Sequence, residues 1–415
     1  MLKTKMMDGL AARASGNWRL LPAAALTLLL AACSSLPGAK PEPEIFSAPT
    51  TPVITNPLPG GAPVAGQMGN GPVRVALILP LTQASGPSVV GTSLRNGAEL
   101  ALQESGGNDI TILVKDDGSN PEGAKAATQA AIGEGAEIII GPLFSSSVRE
   151  AGRLARASGR PVIGFSTDTT TASRGVYLLS FLVENDVDRV VDFAAARGKK
   201  SFAAMVPETE YGNVALAAFQ QAAARKGIRV QAIERYTAGG APAAAQKIAA
   251  LGEQIDALFV PDQAENMPAT ARALAGAGIN PLKVQLLGTG RWNDARVTKT
   301  AEMQGAWFAA PETAGFAAFA QKYRAKFGSD PTRLATLSYD AVSLIAALAR
   351  TQGAQRFSEN VLTNASGFNG ADGLFRFRPD GPNERGLSVL QITSGTTKVI
   401  SPPPKSFGGA TTASR

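Results

Sequence analysis

From Val73 onward the chain alternates short β-rich apolar runs with helical stretches, and this alternation restricts the fold more than any other feature. VRVALIL (73–79) precedes TSLRNGAELALQES (92–105), and ITILVKDD (110–117) precedes PEGAKAATQAAIGEG (121–135). EIIIG and PVIGF bracket a helical pattern over 146–157, and GVYLLS (175–180) completes a first set. A second set runs through SFAAMV, a helical pattern over 211–226, IRVQAIERY, helices near 242–252 and 265–276, IDALFV between them, and VQLLG. Such alternation builds right-handed βαβ units, whose parallel strands are covered on both faces. Two sets of similar size predict two doubly wound α/β lobes. The closing segment GLFRFRPDGPNERGLSVLQIT predicts a hairpin that turns at Pro-Asp-Gly-Pro.

The 415 residues are 44% hydrophobic, enough to fill the cores of two lobes. Histidine is absent, which excludes His-dependent triads, histidine general bases and imidazole metal sites. The net charge of +7 is spread thinly, with no basic run beyond Lys199-Lys200 and no aromatic interleaving. A nucleic-acid partner is therefore not expected.

The single cysteine, Cys33, ends an apolar segment that follows Arg19. A basic start, a short apolar core and small residues make residues 1–32 an export signal, too short to span a bilayer. The tetrad Leu30-Ala31-Ala32-Cys33 resembles the bacterial lipobox, in which the cysteine is acylated and becomes the new N-terminus. That resemblance implies a periplasmic protein held to the membrane through its lipid alone, and Ser34 after the cysteine implies the outer membrane. Residues 33–72 carry nine prolines without hydrophobic periodicity and read as a disordered linker. Residues 401–415 read as a disordered tail.

Small hydroxyl residues crowd two neighbouring strand ends: Ser145, Ser146 and Ser147 after EIIIG, Ser166 and Thr167 after PVIGF. In open α/β sheets, ligands bind beyond the carboxyl ends of strands, where helix N-termini present free amides. One of the three serines is expected as the helix N-cap. The two loops can form a cradle for a carboxylate or other polar head, or they can serve as caps and turns only. No catalytic motif accompanies them. GKKS at 198–201 lacks the first Gly of a P-loop, GFST lacks the second Gly of a nucleophile elbow, and no Ser-x-x-Lys occurs. Asp116-Asp117 reads as a solvated strand end rather than a Mg²⁺ site, and Glu208 and Glu210 as acids favoured near a helix N-terminus. The reading is non-enzymatic, with neither metal nor cofactor.

Taken in order, VRVALILPLT, GPLFSSS, PVIGFSTD, ETEYGN and FGSDPTRLATLSYDAVSLIAALA resemble the type I periplasmic binding proteins of the leucine/isoleucine/valine-binding class. The likeness covers nearly all of 73–400. It implies two Rossmann-like lobes joined by three crossing strands, with a ligand cleft between them. Lobe 1 would hold 73–181 and 310–375, and lobe 2 182–309 and 376–400. The lipobox, the Pro-rich spacer and VYLLSFLVENDVDRVVDFAAARG are most similar to the lipoprotein branch of penicillin-binding-protein activators (LppC-like). That branch implies a cell-wall synthase as partner, although the helical-repeat domain of its larger members is missing here. The alternative is the substrate-binding protein of an ABC transporter, with a permease as partner and a branched-chain amino acid or another small polar or anionic solute as ligand.

In amino-acid binders of this class, loops matching Ser145 to Ser147 and Phe165 to Thr167 hold the ligand carboxylate, and a tyrosine matching Tyr211 closes from lobe 2. An acidic residue after a lobe 2 strand holds the ammonium. LLGTGRWND instead puts Gly290 and Arg291 there. Arg291 can face the ligand, pair with Asp294 or turn to solvent. An arginine at this place points to an anionic or uncharged ligand.

Overall fold

The computed structural model describes residues 66–407. The first lobe opens with β1 (Gly66–Met68), β2 (Val73–Leu79), a two-residue-per-strand hairpin of β3 (Thr82–Gln83) and β4 (Gly86–Pro87), and α1 (Val89–Glu104). It continues through β5 (Ile110–Asp116), α2 (Pro121–Gly133), β6 (Ile138–Ile140), α3 (Ser145–Ala157), β7 (Val162–Gly164) and β8 (Val176–Leu178). Its six-stranded sheet has the order β1-β5-β2-β6-β7-β8. All neighbours are parallel except β1, which adds antiparallel to the edge of β5. The β2 run is buried at every position but Arg74, as a strand covered on both faces must be.

The second lobe runs through α4 (Val183–Ala196), β9 (Ser201–Pro207), α5 (Glu210–Lys226), β10 (Arg229–Tyr236) and α6 (Ala241–Ala249). Then come β11 (Ala257–Phe259), α7 (Met267–Gly276), β12 (Gln285–Gly288), the one-turn α8 (Ala295–Thr298) and β13 (Trp307–Ala310). After β13 the chain returns to the first lobe with α9 (Thr313–Phe327), α10 (Ala335–Thr351) and the short α11 (Glu359–Leu362). Leu337, Ala341 and Ile345 of α10 pack into the same core as Leu77, Leu94 and Ile112. A three-stranded antiparallel sheet follows, from β14 (Phe368–Gly370), β15 (Gly373–Phe377) and β16 (Asn383–Arg385). The chain then ends in β17 (Ser388–Thr393) and β18 (Thr396–Ser401). These complete the second sheet, ordered β10-β9-β11-β12-β13-β17-β18, with β17 and β18 antiparallel.

The backbone thus passes between the lobes three times: at 179–182, at 311–312 and after β16. The first and third passages are fastened to each other. Asn383 donates to the Ser180 carbonyl at 3.1 Å, and the Ser180 amide donates back to the Asn383 side chain at 3.2 Å.

Three sequence expectations need correction. The linker does not extend to residue 72, because Gly66–Met68 already pairs with Met68 opposite Ile112. The C-terminal tail is described as far as Phe407, whose ring lies 4.6 Å beneath the Arg376 guanidinium. Asp116 is only half-exposed and Asp117 is not solvated at all. Asp116 accepts the amides of Leu81 and Gly118, and Asp117 is fully buried. Cys33 and the export signal lie outside the described residues.

Candidate functional site

On the first lobe, the loop after β6 leads into α3. Phe144, not a serine, is the N-cap, with extended backbone (φ −78, ψ 146) and no side-chain cap bond. The three serines form the first helical positions. Ser145 and Ser146 are half-buried at this helix start. Ser147 is completely buried and turns toward Asp117 inside the lobe. Its hydroxyl is close enough to favour the Asp117 anion, yet outside good hydrogen-bond geometry. Burial prevails and pushes Asp117 up to about 6, against the opposing Ser119 amide.

At the end of β7, Phe165 is buried and donates its amide to the Pro142 carbonyl at 2.9 Å, which ties the two loops together. The Ser166 hydroxyl accepts the Asp168 amide at 3.0 Å, and Thr167 is half-buried beside it.

The second-lobe residues gather around the loop after β12. Tyr211, in the first turn of α5, donates its hydroxyl to Thr289 at 2.7 Å. The Arg291 guanidinium lies 4.1 Å above the Tyr211 ring and donates to Gln263. Asp294 is occupied by Arg296 at 2.9 Å. Arg291 is half-buried, and its guanidinium rests on the ring of Tyr211. Burial pushes the Tyr211 phenol well above its ordinary value, so it serves as a neutral donor.

An acid does stand beside this loop, though the sequence gives it no obvious place there. Asp186, in the first turn of α4, accepts the Gly290 amide at 2.9 Å. Burial raises it to about 7, opposed by the Gly290 amide and then by Arg291. A side chain at 290 would come within 3.1 Å of the Asp186 carboxylate and 3.3 Å of the Ala309 carbonyl, tight contacts that favour a glycine. The signal available in the sequence was the acid-rich helix start VENDVD, read there only as part of a family likeness. Its neighbour Glu184 accepts a bond from Thr169 of the first lobe at 3.2 Å, a polar contact between the lobes.

Tyr211, Thr289, Gly290 and Arg291 are thus brought together on one lobe, while Ser145, Ser146 and Phe165 to Thr167 belong to the other. The first set presents a cation on an aromatic face beside a half-buried acid. The second presents a helix start and a tight hydroxyl turn. Among the described residues no group of three or more His, Cys, Asp or Glu is placed to hold a metal ion. No described helix is long and apolar enough to cross a membrane.

Among curated proteins no sequence matches the chain. Solved structures share its fold across nearly their whole length. A protein of Rhodospirillum rubrum assigned to branched-chain amino acid ABC transport is 19% identical with a TM-score of 0.69, covering 79% of this chain and 99% of its own. A leucine-bound ABC transporter substrate-binding protein of Desulfitobacterium hafniense is 20% identical, with a TM-score of 0.57 over 79% and 99%. A benzoate-bound solute-binding protein of R. palustris is 20% identical, with a TM-score of 0.54 over 80% and 97%. The periplasmic binding protein family model matches residues 72–397, most of the chain and both lobes, and the chain belongs to that family.

Proposed function

We propose that the protein is an extracytoplasmic solute receptor. It holds a small carboxylate-bearing or uncharged ligand between its lobes and delivers it to an ABC permease. The observation that carries the ligand class is Arg291, fixed over the Tyr211 ring in the loop where amino-acid receptors of this fold place an acid. Asp186 beside it offsets that charge only in part, because burial keeps its carboxyl near neutrality. The solute would enter head first, its carboxylate at the α3 start and the Ser166–Thr167 turn, its far end against Tyr211 and Arg291. Benzoate and 3,4-dihydroxybenzoate, held by two solved relatives, have this form.

A second reading is favoured by one specific feature, the lipobox-like tetrad ending at Cys33 followed by a Pro-rich stretch. It makes the protein an outer-membrane lipoprotein that reaches a cell-wall synthase. The solved relatives are transport receptors, so we place transport first.

Thermal-shift screening of the purified protein tests the proposal. A panel of small carboxylates should raise the melting temperature, while Leu, Ile and Val should not. Arg291→Ala should reduce the carboxylate shift. Stabilisation by the amino acids alone would defeat the proposed ligand class.

A further inference from the structure

The Lys199-Lys200 pair lies at the end of the second lobe opposite the cleft loops, where the strands of its sheet begin. Neighbours in that sheet run β10, β9, β11, β12. The Arg229 amide opens β10 by donating to the Lys200 carbonyl at 3.0 Å. The Asp256 carboxylate, just before β11, accepts the Lys200 amide at 2.8 Å. The Gln285 amide, which opens β12, donates to the Asp256 carbonyl at 3.0 Å, and Lys283 stands two residues before it. Backbone bonds thus set Arg229, Lys199, Lys200 and Lys283 in a row across one end of the lobe. Arg197, Arg225 and Lys226 join them from the ends of α4 and α5.

The acids at this end are already engaged. Asp256 is held by the amides of Lys200 and Ser201, Asp188 pairs with Arg225 at 2.5 Å, and Asp192 with Lys226 at 3.1 Å. Glu253 lies 3.6 Å from Lys283. Arg197, Lys199, Lys200 and Arg229 make no ion pair among the described residues. A helix C-terminus accounts for Arg197, Arg225 and Lys226, but not for the cations at the strand starts. At the same end of the first lobe the residues before β5, β6 and β8 pair instead: Asp109 with Arg350, Glu137 with Arg356, Arg174 with Glu359. Beside Lys283 stands Leu282, 93% exposed, the most exposed large apolar side chain among the described residues. Its amide donates to the Asn280 side chain at 2.9 Å, which fixes the turn that presents it. An apolar groove lined by Leu274, Ile279, Pro281 and Leu286 opens next to it.

We infer that this end of the second lobe is a docking face for an anionic phospholipid bilayer, with its cations on the headgroups and Leu282 inserted between them. Cations near such a bilayer are drawn by its surface potential, an attraction that fades beyond a Debye length. Lys and Arg also lay their apolar stems along a lipid surface while their charged heads stay among the headgroups. Leu282 decides between a bilayer and a soluble polyanion. A polyanion offers an exposed leucine nothing, whereas insertion removes the side chain from water. The groove next to it continues the apolar surface. A chain that carries the lipobox-like tetrad ending at Cys33 would keep a bilayer close at hand. Docked in this way, the loop that carries Arg291 points away from the lipid, because it leaves the opposite end of β12. The docking does not depend on which solute the cleft holds.

The test is co-sedimentation of residues 34–415, which keep every described element, with lipid vesicles. One set holds phosphatidylglycerol in phosphatidylcholine, the other phosphatidylcholine alone. The protein should sediment with the first and not the second, and raised salt should release it. The triple variant Lys199→Ala, Lys200→Ala, Arg229→Ala should bind about tenfold more weakly or worse, and Leu282→Ala about threefold more weakly. A charge-matched control on the first lobe, Arg153→Ala, Lys322→Ala, Arg324→Ala, replaces three exposed cations and should bind nearly as the parent does. No sedimentation with the phosphatidylglycerol vesicles at low salt, or equal binding by the two triple variants, would overturn the docking face. Undiminished binding by Leu282→Ala would make it a surface for soluble polyanions and overturn its assignment to a bilayer. Should the first triple variant fail to fold, Lys200→Glu takes its place.

Discussion

Asp186 accepts the Gly290 amide at 2.9 Å, so the acid flanking the cleft loop comes from the start of α4, 104 residues away in sequence. The carboxylate orients the loop that carries Arg291 and at the same time tempers its charge. Asp186→Asn keeps an acceptor for the amide and removes the negative charge. It should fold normally and bind small carboxylates more tightly than the parent at pH 8, where the parent acid is ionised. Titration of both proteins with benzoate across pH 6 to 8 should show the gap closing toward acid.

Tyr211 contributes a hydrogen bond and a surface. Tyr211→Phe loses the hydroxyl's bond to Thr289 and its polar contact with Arg291, keeps the ring, and should cost about 1 kcal/mol in urea unfolding. Tyr211→Ala also removes the ring beneath Arg291 and should reduce carboxylate affinity far more than Tyr211→Phe does.

Gly288, at the end of β12, has no room for a side chain. An added Cβ would come within 2.2 to 2.5 Å of the Trp292 ring, which is fully buried beneath the loop. Gly288→Ala should therefore destabilise by about 1–3 kcal/mol and disturb the loop carrying Arg291, read by chemical denaturation and by Trp fluorescence.

Buried Asp117 predicts a pH effect with a definite sign. Its carboxyl is raised from 3.8 to about 6, so between these values the native state binds more protons than the unfolded one. Stability from this group is full below pH 4, falls as pH rises to about 6, and stays low above it. Asp117→Asn keeps an acceptor for Ser119 and removes the dependence. Its stability relative to the parent should rise by about 1–3 kcal/mol from pH 4 to pH 7, in denaturant melts at each pH. A flat difference would show that Asp117 ionises normally.

The alternation of strands and helices was legible because each buried strand is a continuous apolar run, as in VRVALIL and EIIIG. The three-residue β1, GQM, lacks any such pattern and owes its pairing to the exposed edge of β5. Serines next to a strand end suggested a cap, but whether a residue caps or begins a helix depends on one backbone torsion, which at Phe144 is extended. Tyr211 and Arg291 stood out as residue types in a pattern. Asp186, Gln263 and Asn383 did not, because their roles arise only where α4, the loop after β11 and β16 meet other segments. Tertiary packing, not local sequence, brings them there.

The most direct measurement of the central claim is calorimetric titration of the ligand-free protein with leucine and with benzoate. With Arg291 stacked on Tyr211 where an ammonium would need an acid, leucine should give no heat of binding at millimolar concentration. Benzoate should bind, and Arg291→Ala, which removes the cation facing its ring, should weaken it by about threefold to tenfold. Leucine binding in the micromolar range, with no response to benzoate, would contradict the account.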